Sequence, residues 1–193
     1  MTVNSVCVYC GSANRVDATF KNIARDVGTA IASQKKRLVY GGGRVGLMGI
    51  VADSALAAGG EVIGVIPQHI QAREIQHTGL TELHVVEDMH TRKRMMVERS
   101  DAFVILPGGF GTLDETFEIL TWKQLQLHSK PVVIFNAFGY WDKLISLVES
   151  MVGCGFAQPS NLELYSEVRD IASMFAAFER SAPINHDVTT KWM

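Results

Sequence analysis

The run Pro107-Gly108-Gly109-Phe110-Gly111-Thr112-Leu113-Asp114-Glu115 combines groups suited to holding an anion with one group that anion binding alone does not need. Glycines let the backbone approach a bound phosphate closely, and a helix starting near Thr112 aims unpaired N–H groups at the same point. Thr112 adds a hydroxyl. Glu115 follows one helical turn later on nearly the same face, where a carboxylate beside an anion is unfavourable unless it takes part in a reaction. The same Thr112-x-x-Glu115 spacing also fits a capping box, in which Glu115 merely reaches back to the Thr112 backbone N–H. The run lacks the Gly-Lys-Ser/Thr ending of a Walker loop and the Gly-x-Gly-x-x-Gly dinucleotide fingerprint.

A second glycine-rich turn, Gly41-Gly42-Gly43-Arg44-Val45-Gly46-Leu47-Met48-Gly49, repeats the arrangement of short apolar strand, loop and helix. One such loop can be a plain βα turn, but two point to a nucleotide-like ligand, because in open α/β sheets ligands lie beyond the carboxyl ends of the strands. The local cluster Arg92-Lys93-Arg94 follows Met89-His90-Thr91 on a helical stretch. By default its charges form a solvated face.

The elements that position these groups alternate along the chain. Apolar runs at Val3 to Tyr9, Leu38 to Tyr40, Glu61 to Ile66, Leu83 to Val86, Ala102 to Leu106 and Pro131 to Asn136 read as strands covered on both faces. Helical periodicity covers Asp17 to Gln34, Ile50 to Ala58, Met89 to Val97, Leu113 to Leu127, Trp141 to Met151 and Asp170 to Phe178, while Asn161 to Val168 is only weakly strand-like. The polar segment 67–81 is placed to cover a site at the sheet edge. The expected architecture is α/β: a Rossmann-like, doubly wound, mainly parallel sheet of roughly six strands flanked by helices. It forms a single domain over residues 1–180 with a C-terminal tail at 181–193.

Composition narrows the partners. A formal charge of -2 and a pI near 6.3 over 193 residues provide no general field for nucleic acid or an anionic membrane. No apolar run approaches the ~20 residues that cross a bilayer, and the first ten residues lack a signal-peptide pattern, so a cytoplasmic location is expected. Cys7 and Cys10 form a C-x-x-C within a strand, where they face opposite ways, and no second pair completes a zinc site; core packing is their expected role. His84, His90 and His128 show no metal-ligand spacing. No metal and no cofactor are expected.

Taken in order, Cys10-Gly11-Ser12, Gly41-Gly42-Gly43-x-x-Gly46-Leu47-Met48-Gly49, Met89-His90-x-Arg92-Lys93-x-x-Met96, Pro107-Gly108-Gly109-x-Gly111-Thr112-x-x-Glu115 and Thr121-Trp122-x-Gln124-Leu125 resemble the Lonely Guy (LOG) family of cytokinin-activating phosphoribohydrolases. The resemblance spans most of residues 3–150. It implies hydrolysis of the N-glycosidic bond of a nucleoside 5′-monophosphate, giving free base and ribose 5-phosphate. It also implies a homodimer.

Carried across by motif, Arg92 and Glu115 are the catalytic pair. Substrate binding is carried to Lys93, to Gly109, Phe110, Gly111, Thr112, Leu113 and Asp114, to Thr121, and to Gly42, Gly43 and Ser12. Glu74 joins them through an Arg-Glu dipeptide at a matching distance before Arg92. The chain departs from the family at Thr91 and Asp114, where Glu is common, and at Ala13, where a second Ser is common.

Two other readings accompany this one. A non-catalytic nucleotide or molybdenum-cofactor carrier shares the Pro-Gly-Gly-x-Gly-Thr cradle, but retention of both Arg92 and Glu115 favours an enzyme. The older family name "lysine decarboxylase" would call for pyridoxal phosphate, and no lysine is singled out for its Schiff base.

Overall fold

In the computed structural model, which describes residues 2–71 and 76–180, the chain forms one parallel sheet between two layers of helices. Its strands are β1 (Ser5–Tyr9), β2 (Arg37–Tyr40), β3 (Val62–Pro67), β4 (Glu82–Val86), β5 (Ala102–Ile105), β6 (Val132–Phe135) and β7 (Ser166–Val168). The helices are α1 (Ala18–Ser33), α2 (Gly46–Ala57), α3 (Gln68–Gln71), α4 (Met89–Glu98), α5 (Phe110–Gln124), α6 (Asp142–Gly153) and α7 (Ile171–Arg180). Glu74 and the expected tail at 181–193 lie outside the described residues.

Alternation along each strand divides the core in two. Val6 and Val8 of β1 and Leu38 and Tyr40 of β2 face the side covered by α1, α2 and α7. Cys7, Tyr9, Val39, Phe103 and Ile105 face the opposite side, against residues of α4, α5 and the start of α6. This two-sided burial explains the nearly continuous apolar runs. It also separates Cys7 from Cys10, as their spacing predicts: both are buried, in different halves of the core, while Cys154 is exposed just beyond α6.

The strand order is β4-β3-β2-β1-β5-β6-β7, all pairs parallel. The chain moves outward from β1 to β4 and then crosses to β5 on the other side of β1. That reversal opens a crevice beyond the carboxyl ends of β1 and β5, where a doubly wound sheet binds its ligands.

Among the described residues the sheet has seven strands, against the roughly six expected. The added edge strand occupies only the end of the weakly patterned stretch 161–168, whose earlier residues form a 3-10 turn, Pro159–Leu164. Ser166 and Glu167 are exposed, so only Val168 contributes an apolar inward position. Helix α2 begins at Gly46 instead of Ile50 because the β1 loop satisfies its first donors. Gly46 N–H donates to Asn14 Oδ1 at 2.8 Å, and Leu47 N–H donates to the Gly11 carbonyl at 2.9 Å.

Within α5, Lys123 is 6% exposed, on the same inward face as Ile119 and Leu120. Burial alone pushes its ammonium down to about 8, and among the described residues no carboxylate pairs with it. A base whose folded pKa is lowered destabilises the fold while charged. Stability therefore rises from about pH 8, where folded Lys123 loses its proton, to about 10.5, the value in the unfolded chain. Lys123→Met is expected to stabilise the protein at pH 7 by roughly 1–3 kcal/mol and to flatten that rise, apart from the smaller contribution of half-buried Lys130. Urea unfolding at pH 7 and pH 10 checks both.

Candidate active site

The crevice is a cleft of about 490 Å³, within the range of small-molecule sites. The end of β1 supplies Cys10, Gly11, Ser12 and Ala13, and the end of β5 supplies Pro107 and Gly108. These two strand ends are joined by Gly11 N–H donating to the Pro107 carbonyl at 3.0 Å. Gly109, Phe110, Gly111, Thr112 and Glu115 continue the lining from the start of α5, and Arg92 enters from α4.

Helix α5 starts earlier than the capping-box reading requires. Gly109 is its N-cap and no side chain caps it, so Thr112 lies inside the first turn with its hydroxyl over Gly108. Leu113 N–H already donates to the Gly109 carbonyl at 3.0 Å, leaving the N–H groups before it at the open end of the helix facing the cleft. Nothing lies within 4 Å of where a side chain on Gly109 or Gly111 would begin. The arrangement suits an anion, and the helix N-terminus adds positive potential there.

The inward face of α5 runs Thr112, Glu115, Thr116, Ile119, Leu120, Lys123. Its first turn is polar because it meets the cleft, and its later turns include apolar residues because they meet the sheet. Glu115 thus reaches Arg92, with Nη1 3.2 Å from Oε1, and both side chains are about nine-tenths buried. Arg92 Nε also donates to the Val65 carbonyl at 3.2 Å. The default of a solvated basic face does not hold for Arg92 or Lys93. Burial pushes the Cys10 thiol well above its usual value, and the nearby Glu115 charge raises it further.

Lys93 Nζ lies 3.2 Å from Asp114 Oδ2 and 3.1 Å from Glu118 Oε1, tying α4 to α5. Partial burial works against its charge, but the hydrogen bonds to Glu118 and Asp114 outweigh that and raise its pKa above the ordinary lysine value. It does not line the cleft, and neither do Leu113, Asp114, Gly42, Gly43 or Thr121. Gly42 and Gly43 instead anchor the chain returning from the polar segment. His77 N–H donates to the Gly42 carbonyl at 3.2 Å, and Gly43 bridges to Gln76. Thr121 is exposed on the outer face of α5.

Sequence reasoning missed the aromatic wall. Tyr140, from the turn after β6, lines the cleft and donates its hydroxyl to the Gly108 carbonyl at 2.7 Å. Phe20 of α1 packs edge-on against it with centroids 5.5 Å apart. Val16, Asp17 and Met48 complete that side. The rule that directed attention to the ends of β1 and β5 points also to the end of β6 at Phe135, but no glycine run there singles out Tyr140 five residues later.

A parallel sheet whose switch point carries a glycine-lined helix start, with an acid and a guanidinium beside it, defines an α/β protein of Rossmann-like build with a cleft suited to an anionic ligand. The family described as "Possible lysine decarboxylase" matches residues 48–178. The chain is 48% identical over 177 residues to the cytokinin riboside 5′-monophosphate phosphoribohydrolase of Rhodococcoides fascians, covering 91% of this chain and 89% of that one. It is 39% identical over 186 residues to a cytokinin riboside 5′-monophosphate phosphoribohydrolase of Arabidopsis thaliana, covering 96% of this chain and 86% of the relative. The chain belongs to the Lonely Guy (LOG) family, which bears that decarboxylase description.

The molybdenum cofactor carrier protein of Chlamydomonas reinhardtii has the same fold, with TM-score 0.70 at 22% identity over 93% of this chain and 98% of that one. The decarboxylase name is not matched by the site, since among the described residues no lysine lines the cleft and Lys93 is held by Asp114 and Glu118. The residues present do not fit a pyridoxal phosphate Schiff base.

Proposed function

We propose that this protein hydrolyses the N-glycosidic bond of adenosine 5′-monophosphates, including N6-substituted ones, to free base and ribose 5-phosphate. The buried Arg92–Glu115 pair beside the α5 anion cradle is the observation that carries this reading. The relatives' activity supports it.

The 5′-phosphate sits on the N–H groups of Gly109, Phe110 and Gly111 and on the Thr112 hydroxyl, with Ser12 at the facing strand end. As the bond from the anomeric carbon to the base nitrogen breaks, its electron pair leaves with the base and positive charge develops on the ribosyl ring. Glu115 stabilises that charge and takes a proton from the attacking water, whose oxygen bonds to the anomeric carbon. The departing base nitrogen gains a proton from solvent, to which Glu115 returns its own. Arg92 stays charged and cannot donate a proton, so it orients Glu115 and clamps phosphate or ribose oxygens. Lys93 acts at one remove, holding α4 against the α5 turn that carries Asp114. Gly42 and Gly43 shape the neighbouring strand end, and the substrate role of Glu74 is retained from the family motif.

We also propose a homodimer formed through the outer face of α5, where Phe117 is exposed, with Leu125 and Leu127 exposed just beyond the helix. Thr121 lies on that face, so any substrate contact through it would come from a second chain packed there. No helix among the described residues is long and apolar enough to cross a membrane. A reducing cytoplasmic compartment suits the unpaired thiols.

Incubation with AMP and with its N6-isopentenyl form, followed by chromatography, is expected to release free base and ribose 5-phosphate in equal amounts. A nucleotide or molybdenum-cofactor carrier would bind AMP and release no base. Light scattering at micromolar concentration is expected to give twice the chain mass.

A further inference from the structure

Arg92 is held from three directions. Nε donates to the Val65 carbonyl at the end of β3, and Nη1 pairs with Glu115. Nη2 lies over Gly41, so close that a Cβ there would overlap it and stand 3.2 Å from Cζ. Gly41 is buried, and no positive φ demands glycine at this position. Apart from Nη2 and Cζ, the nearest atom such a Cβ would meet is Met48 Sδ at 3.2 Å, the end of a flexible side chain. The constraint on Gly41 therefore comes mainly from the guanidinium.

We infer that Gly41 is a positioning residue: the first glycine of the triple-glycine loop is a seat for the Arg92 guanidinium, and its missing side chain sets the reach of Arg92 toward Glu115. This rests on the proposed hydrolase reading for its effect on turnover, but the seat itself does not depend on the reaction. It gives the triple-glycine loop a role distinct from phosphate binding, since Gly42 and Gly43 lie outside the cleft lining and Gly41 acts through a side chain from α4. With Gly41→Ala, the guanidinium has to move off its seat by about the radius of a methyl group. Displacements of ~1 Å in a catalytic constellation cost on the order of 10²-fold in rate.

A double-mutant cycle of Gly41→Ala and Arg92→Ala, read by thermal unfolding and by AMP turnover, tests the inference. Gly41→Ala is expected to lower the melting temperature in the wild-type background and to leave it unchanged or higher in the Arg92→Ala background, where the methyl group has space. In turnover, Gly41→Ala is expected to reduce kcat by roughly 10²-fold, with a smaller rise in KM from the displaced Arg92 clamp. It is expected to add no further loss on top of Arg92→Ala. An equal drop in melting temperature in both backgrounds, or failure of both Gly41→Ala proteins to fold, overturns the inference by placing the strain elsewhere. Wild-type kcat retained in Gly41→Ala overturns it as well. If wild-type protein releases no base from AMP, the hydrolase reading fails, while the thermal cycle still decides the seat.

Discussion

Glu115→Gln is expected to lower AMP turnover by about 10³-fold while leaving AMP binding nearly unchanged. The substitution keeps size and hydrogen-bonding capacity but removes the charge that offsets the developing ribosyl cation and the base that accepts a proton from water. The proposed phosphate cradle is built of backbone N–H groups and Thr112, which line the cleft and which the change does not touch. The loss should therefore appear in kcat and not in KM.

A stability cost accompanies it, because Arg92 loses its charged partner in a buried setting; removal of one member of such a pair costs roughly 3–5 kcal/mol when nothing replaces it, and less with a glutamine in place. Assays run well below the variant's melting temperature separate the two effects. Near-normal base release by a folded Glu115→Gln protein would leave Glu115 as a partner of Arg92 alone and end the catalytic assignment.

Gly46→Ala is expected to be the most destabilising single methyl group at the cleft, at roughly 4 kcal/mol, with a fall in melting temperature on the order of 10 °C. Gly46 has φ +59, and its Cβ would overlap the Ser12 carbonyl carbon and come 2.6 Å from that oxygen and 2.8 Å from Ala13 N. All three are backbone atoms, so no side chain can swing aside. Relief requires α2 to withdraw from the β1 loop, which breaks the bonds from Gly46 N–H to Asn14 and from Leu47 N–H to Gly11. Ser12 and Ala13 line the cleft, so AMP affinity should fall along with stability. Calorimetry and equilibrium binding measure the two; a melting temperature within 2 °C of wild type would contradict the strain argument.

The contrast between Gly46 and Gly41 also marks how far the sequence could be read. Both glycines belong to a loop recognisable from its spacing, and the strand, loop and helix around each cradle follow from apolar runs punctuated by glycine. Their separate tasks do not follow, because one is set by the backbone of Ser12 and Ala13 from the β1 loop and the other by an arginine tip arriving from another helix. The position of the cleft was legible at the ends of β1 and β5. Its aromatic side was not, since Tyr140 follows a turn with no glycine run to draw attention to it.

The strand β7 was hard to read because only Val168 is buried within it. Lys123 is turned inward by tertiary packing, which the local pattern of α5 does not encode. Arg92 and Glu115 could be named from residue type and motif, but their 3.2 Å approach depends on α4 and α5 covering the same side of the sheet, a tertiary fact that no local pattern encodes.

The distribution of sulfur has a practical use. Thiol reagents attack the thiolate, and burial holds Cys7 and Cys10 in the protonated form at ordinary pH, whereas Cys154 is open to solvent. A maleimide dye added to the native protein should therefore attach at one place per chain, away from the nucleotide cleft, providing a fluorescent handle for following self-association without any engineered cysteine.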